Sequence, residues 1–149
     1  MKQIQLGSVC SGTHRTEDLI PTLADELSTM EFTVEGVELL RQVEKFLGAP
    51  NDTLPDWDSE DAIYILDELF NKLDEHAPPH MYFGALDCDG ADFGWWPRDF
   101  DGCHTIPIEQ GKNGEGTFVD TECNLYVEID DHGNTTVKEL GGNIIWDCV

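Results

Sequence analysis

Apolar positions in the first half of the chain recur at helical spacing, whereas in the second half they alternate or fall in short runs. Lys2–Val9 sets Ile4, Leu6 and Val9 among polar residues and predicts a first strand, turned by Ser11-Gly12-Thr13. Arg15–Met30 predicts a helix with Leu19, Leu23 and Leu27 on one face. Asp18 is placed as its N-cap and Pro21 as its third residue, where a missing N–H does no harm. Asp25 and Glu26 point elsewhere with no base nearby. Val34–Leu47 predicts a second helix, capped by Thr33 and ended by Gly48 and Pro50, that buries Leu39, Leu40, Val43, Phe46 and Leu47. The third helix is Ser59–His76, with a stripe of Ala62, Ile63, Leu66, Leu69, Phe70 and Leu73, stopped by Pro78-Pro79.

Beyond the prolines the period changes. His80–Leu86 predicts a strand, Asp87–Gly94 a turn-rich loop, Trp95-Trp96-Pro97 a short strand, and Phe100–Gly116 an irregular excursion. Thr117–Asp120 is short and extended. Asn124–Asp130 and Thr135–Leu140 flank Asp131-His132-Gly133-Asn134 and predict a hairpin. After the turn at Gly141-Gly142, Asn143–Val149 closes the chain as a strand. Helices first and strands later predict an α+β fold: about three N-terminal helices packed on a C-terminal antiparallel sheet. With 149 residues and no visible linker, one acidic domain spanning 1–149 is expected.

Charge changes the picture of the third helix. Its acids come in adjacent pairs seven residues apart, Glu60/Asp61, Asp67/Glu68 and Asp74/Glu75, which stack along one face at roughly 10 Å intervals. Lys72 is the one base inside and is expected to pair with Glu68. Glu60 and Asp61 suit a helix start, but Asp74 and Glu75 oppose the dipole at the C-terminal end. The second helix has similar acids but sets Arg41 and Lys45 among them, as an ordinary salt-bridged surface does.

The same imbalance runs through the whole chain, with 31 acids against 8 bases and a net charge of −23. Such a field repels nucleic acid and anionic membrane and attracts basic surfaces. A hydrophobic fraction of 40% with 4 Trp and 7 Phe excludes a compositionally disordered chain. The five cysteines, four tryptophans and many large aliphatics also argue against salt adaptation as the source of the acidity. The N-terminal stretch has no apolar run long enough for a signal peptide, and none of the chain matches a membrane span. The odd, widely spaced cysteines are therefore expected as reduced thiols in the cytoplasm.

Motifs with established chemistry are scarce. Asp87-Cys88-Asp89-Gly90-Ala91-Asp92 fails the EF-hand pattern, because positions five, six and twelve hold Ala91, Asp92 and Arg98. Asp87, Asp89 and Asp92 stand as an alternative hard-cation or hydrolytic site. There is no C-x-x-C for zinc, no P-loop, no dinucleotide fingerprint and no nucleophile elbow. Cys10 with His14 lacks the context of a catalytic pair. A non-enzymatic chain without cofactor or metal is expected.

The acids themselves are the chemistry. Duplex DNA carries one negative charge per about 1.7 Å, so −23 equals the phosphates of about a dozen base pairs. Carboxylates on rigid elements can occupy a Lys/Arg track built for nucleic acid. Glu60, Asp61, Asp67, Glu68, Asp74, Glu75, Asp87, Asp89 and Asp92 are the expected partner contacts. Another reading is an acidic interaction module that binds through Trp95 and Trp96.

Ser11–Pro21 (SGTHRTEDLIP) and Tyr82–Trp96 (YFGALDCDGADFGWW) resemble stretches of small acidic proteins carried by bacteriophages and mobile elements, with Leu86-Asp87-Cys88 where that group has His-Pro-Gly. The resemblance implies a phage or mobile-element origin. By class analogy, it implies an anti-CRISPR or anti-restriction inhibitor acting in the host cytoplasm on a basic nucleic-acid-binding defence protein, without touching nucleic acid or membrane itself.

Overall fold

A computed structural model describes residues 4–30, 33–48, 54–87, 89–98, 105–111 and 115–148. The elements run β1 (Gly7–Ser11), α1 (Thr16–Ser28), α2 (Val34–Leu47), α3 (Glu60–Glu75), β2 (Met81–Leu86), β3 (Asp89–Pro97), β4 (Thr105–Gln110), β5 (Gly116–Asp120), β6 (Leu125–Ile129), β7 (Thr135–Glu139) and β8 (Ile144–Cys148). The α+β class holds, with helices early and most strands late. In place of one C-terminal sheet, however, the strands form two antiparallel sheets, β1-β3-β2 and β4-β5-β6-β7-β8. The N-terminal β1 belongs to the first. The chain divides into two compact units, Met1–Ala77 with Tyr82–Trp96 and Pro78–Met81 with Pro97–Val149, a subdivision that no linker in the sequence announces.

In the helical unit, α1 buries Leu19, Ile20, Leu23, Ala24 and Leu27. The helix starts earlier than expected. Arg15 stands at the N-cap without a side-chain cap bond, and Asp18 lies inside the first turn, where its Oδ2 accepts the Thr13 hydroxyl at 2.7 Å. Pro21 is therefore well inside α1 and cannot donate to the carbonyl of Glu17. The second helix has the expected bounds. The Thr33 hydroxyl accepts the Gly36 amide at 3.1 Å, and Gly48 ends the helix. Leu39 and Val43 are buried, but Leu47 is exposed. In α3, Ser59 caps Ala62 N at 3.2 Å, and the buried set is Ala62, Ile65, Leu69 and Leu73. Ile63, expected in the stripe, is 53% exposed, and Ile65 takes its place.

Phe70 of α3 meets Phe83 of β2 and Phe93 of β3, with ring centroids 5.9 and 5.3 Å away. Phe83 in turn packs edge-on against Trp95 at 4.7 Å. This aromatic chain seats the helices on the small sheet. Gly94 lets the sheet close on its other side: opposite Ser8 in the β1–β3 register, a Cβ there would lie 2.2 Å from the Gly7 carbonyl oxygen.

In the second unit, alternation along β6 and β7 buries Leu125, Val127 and Val137. The register aligns Phe118, Val127, Val137 and Trp146 in one row across four strands. The expected hairpin is present. The Asp130 carboxylate organises its turn, accepting the amides of His132 and Asn134 at 2.8 and 2.9 Å. Part of the Phe100–Gly116 excursion is regular, because Thr105–Gln110 is the edge strand β4. At the start of this unit His80 has a φ of +63°, uncommon for a residue with a Cβ. Its Nε2 lies 2.7 Å from Asp120 Oδ2 in a nearly solvent-free pair.

Candidate functional site

The acidic face of α3 separates into two parts. Glu60, Asp61 and Asp67 are exposed, and no base comes within ion-pair distance of them among the described residues. Glu60 and Asp61 also sit favourably in the first helical turn. Glu68 is half-buried toward α2.

The last pair is engaged internally. Asp74 Oδ1 accepts the Phe83 amide at 2.9 Å, so this carboxylate holds β2 against the end of α3. Glu75 Oε2 accepts Lys72 Nζ at 2.7 Å, which replaces the expected Lys72–Glu68 pair. The hydrogen bond to Glu75 raises the Lys72 ammonium above its ordinary value against the opposing effect of desolvation, and Glu35 and Glu68 add to the rise. At the helix terminus the His76 ring Nδ1 meets the Lys72 carbonyl at 2.7 Å. The two acids that oppose the helix dipole thus each have a structural partner.

Helix α2 bears out the contrast between the two helices in part. Arg41 grips Glu38 through Nε and Nη2 at 3.0 and 2.9 Å, which lowers the Glu38 carboxyl and raises the guanidinium. Lys45 has no acid within ion-pair distance among the described residues.

Asp87, Asp89 and Asp92 do not form a loop site. Residues 89–97 are strand, so most of the expected Asp87–Gly94 loop belongs to β3, and Cys88 lies outside the described residues. Asp89 and Asp92, three residues apart on an extended chain, face opposite sides. The Asp89 carboxylate accepts the Ala91 amide at 3.1 Å, whereas Asp92 Oδ1 is buried without a hydrogen-bond partner. The three do not gather as a ligand set. The described residues that do bring ligand atoms together are Asp130, Asp131 and His132, all exposed, and there both Asp130 oxygens already hold the hairpin turn.

Trp95 is unavailable as a partner anchor. It is buried, and its indole N–H donates to Glu26 Oε1 at 3.2 Å, which gives Glu26 the partner that its sequence neighbourhood lacks. Trp96 is half-buried and donates to the Gly84 carbonyl at 3.0 Å. Cys10 is a half-buried free thiol. His14 stacks edge-on against Phe93 at 5.8 Å.

One surface is absent from the expectations drawn from the sequence. Between α2 and α3 runs a groove lined by the apolar Phe46, Leu54, Tyr64 and Ile65 and by the acids Asp56 and Asp61. Its sequence signal is Tyr64, an aromatic residue set among the acids of α3. No helix among the described residues is long and apolar enough to cross a membrane. Comparison with known proteins finds no matching family profile, no matching curated sequence and no matching solved structure.

Proposed function

We propose that this chain is a phage-borne, non-enzymatic inhibitor that occupies the basic nucleic-acid channel of a host defence complex, of anti-CRISPR or anti-restriction type, in the host cytoplasm. The observation that carries the reading is the display of Glu60, Asp61 and Asp67 on α3 without basic partners among the described residues, in a chain of net charge −23. From Glu60 to Asp67 the rise is about 10 Å, so the carboxylates are fixed at a spacing that a run of Lys or Arg along a phosphate-binding track can meet. No cofactor takes part. Glu68 and the exposed Asp87 and Asp89 extend the contact set, while Asp74, Glu75 and Asp92 drop from it.

Capture from a host lysate at low and high salt, read by mass spectrometry, tests this proposal. A nucleic-acid-binding defence protein should be retained at low salt and released by salt or by added duplex. Retention of no basic nucleic-acid-binding protein at low salt would sink the reading.

A further inference from the structure

We propose that the α2–α3 groove is a docking site for a cationic amphipathic segment of a protein partner, with an aliphatic or aromatic anchor seated against Tyr64 and Lys or Arg spread over the acidic rim. This deepens the reading above, on which it rests, by naming the surface and the partner feature it takes. Two recesses of about 580 and 400 Å³ meet at Gln42 and Tyr64, and together their linings follow the α2–α3 pair as a trough interrupted only by those two side chains. The wall from Asp61 to Lys72 rises about 16 Å, room for about three turns of a docked helix.

Three large apolar side chains stand in water along this trough: Val34 at one end, 82% exposed, Tyr64 in the middle at 58%, and Leu54 at the other end at 89%. A surface that worked by charge alone would have no use for them. Glu38 is held by Arg41 and Lys72 by Glu75, which leaves Glu35, Asp56, Asp61 and Glu68 against Lys45 along the lining. The net sign favours a basic occupant. A second copy of this chain would bring another −23 into the same field, which disfavours self-association.

The test is an amide-resolved NMR titration of the full chain at low salt with two synthetic peptides of equal positive charge, a helical Leu/Lys amphipath and an apolar-free Lys/Gly chain. The amphipath should bind more tightly and perturb Gln42, Tyr64, Ile65 and Glu68. Tyr64→Ser should weaken it about tenfold, the scale of a modest anchor residue, and leave the Lys/Gly peptide unchanged. Ile63→Ser, on the same helix but outside the groove lining, should change neither. Equal affinity for the two peptides, or an unaffected Tyr64→Ser variant, would overturn the docking site and leave the charge-based reading standing. A dimer that Tyr64→Ser dissolves would overturn it in favour of a second copy. Failure of both peptides to bind would overturn both readings.

Discussion

The carboxylate of Asp74 accepts the backbone amide of Phe83 at 2.9 Å, tying the last turn of α3 to strand β2. A charged acceptor on a half-buried amide is a strong local tie. It also explains an acid where the helix dipole disfavours one: the tertiary bond outweighs a dipole term of a few tenths of a kcal/mol to about 1 kcal/mol. Replacing Asp74 with Ala should cost about 1.5–3 kcal/mol, whereas Asp67→Ala should change stability by about 0.5 kcal/mol or less. Denaturant unfolding of the two variants compares them directly, and equal effects would mean that Asp74 is only a surface charge.

Gly94 is the second fixed point of the small sheet. With the Gly7 carbonyl oxygen 2.2 Å from where a Cβ would sit, Gly94→Ala must push β1 from β3. A loss of about 1–3 kcal/mol is expected, the range for forced overpacking. Gly133→Ala, at an open turn position with a φ of +85°, provides a comparison in which strain acts without a clash.

The buried pair of His80 and Asp120 sets an acid dependence. Burial pushes the Asp120 carboxyl up, but the amides of Cys123 and Glu122 together with His80 outweigh it and hold the group below its ordinary 3.8. A lowered folded value means that the contribution is complete above 3.8 and is lost as the pH falls below it toward the folded value. Protonating the other acids relieves self-repulsion over the same range, so the difference between wild type and Asp120→Asn is the informative quantity. The destabilisation caused by the substitution should be full at neutral pH and shrink below about pH 4. A constant difference across that window would contradict the assignment.

Salt should act with opposite sign on stability and on binding. Screening relieves the self-repulsion of a −23 chain, so the melting temperature should rise between 10 mM and 0.5 M NaCl. Affinity for a basic partner should fall over the same range. A melting temperature that falls with salt would show that the described ion pairs outweigh the net repulsion.

Much of the fold was legible wherever local chemistry alone decides it. Thr33 starts α2 through its side-chain cap and Gly48 ends it, and Asp130 to Asn134 make the hairpin turn that their composition predicts. The first half of β3 is not legible as strand because Asp, Gly and Ala are poor strand formers in isolation. Gly94 is there for a close approach to β1 that only the tertiary structure reveals. Ile63 and Ile65 compete for one stripe at helical spacing, and α3 buries Ile65 together with Ala62, Leu69 and Leu73. The acidic ladder was visible, but sequence spacing does not show which rungs are occupied. Asp74 and Glu75 have their partners at Phe83 and Lys72, so the displayed set is Glu60, Asp61 and Asp67.

The most direct test of the central claim is displacement of a fluorescent duplex from a purified RNA-guided or restriction-type defence complex. Wild type is compared with a variant carrying Glu60→Gln, Asp61→Asn and Asp67→Lys over a series of salt concentrations. The account predicts displacement by wild type that weakens steeply and linearly in log salt, with a clearly weaker and shallower response from the variant. Equal displacement by both proteins, or none by wild type at low salt, would contradict it.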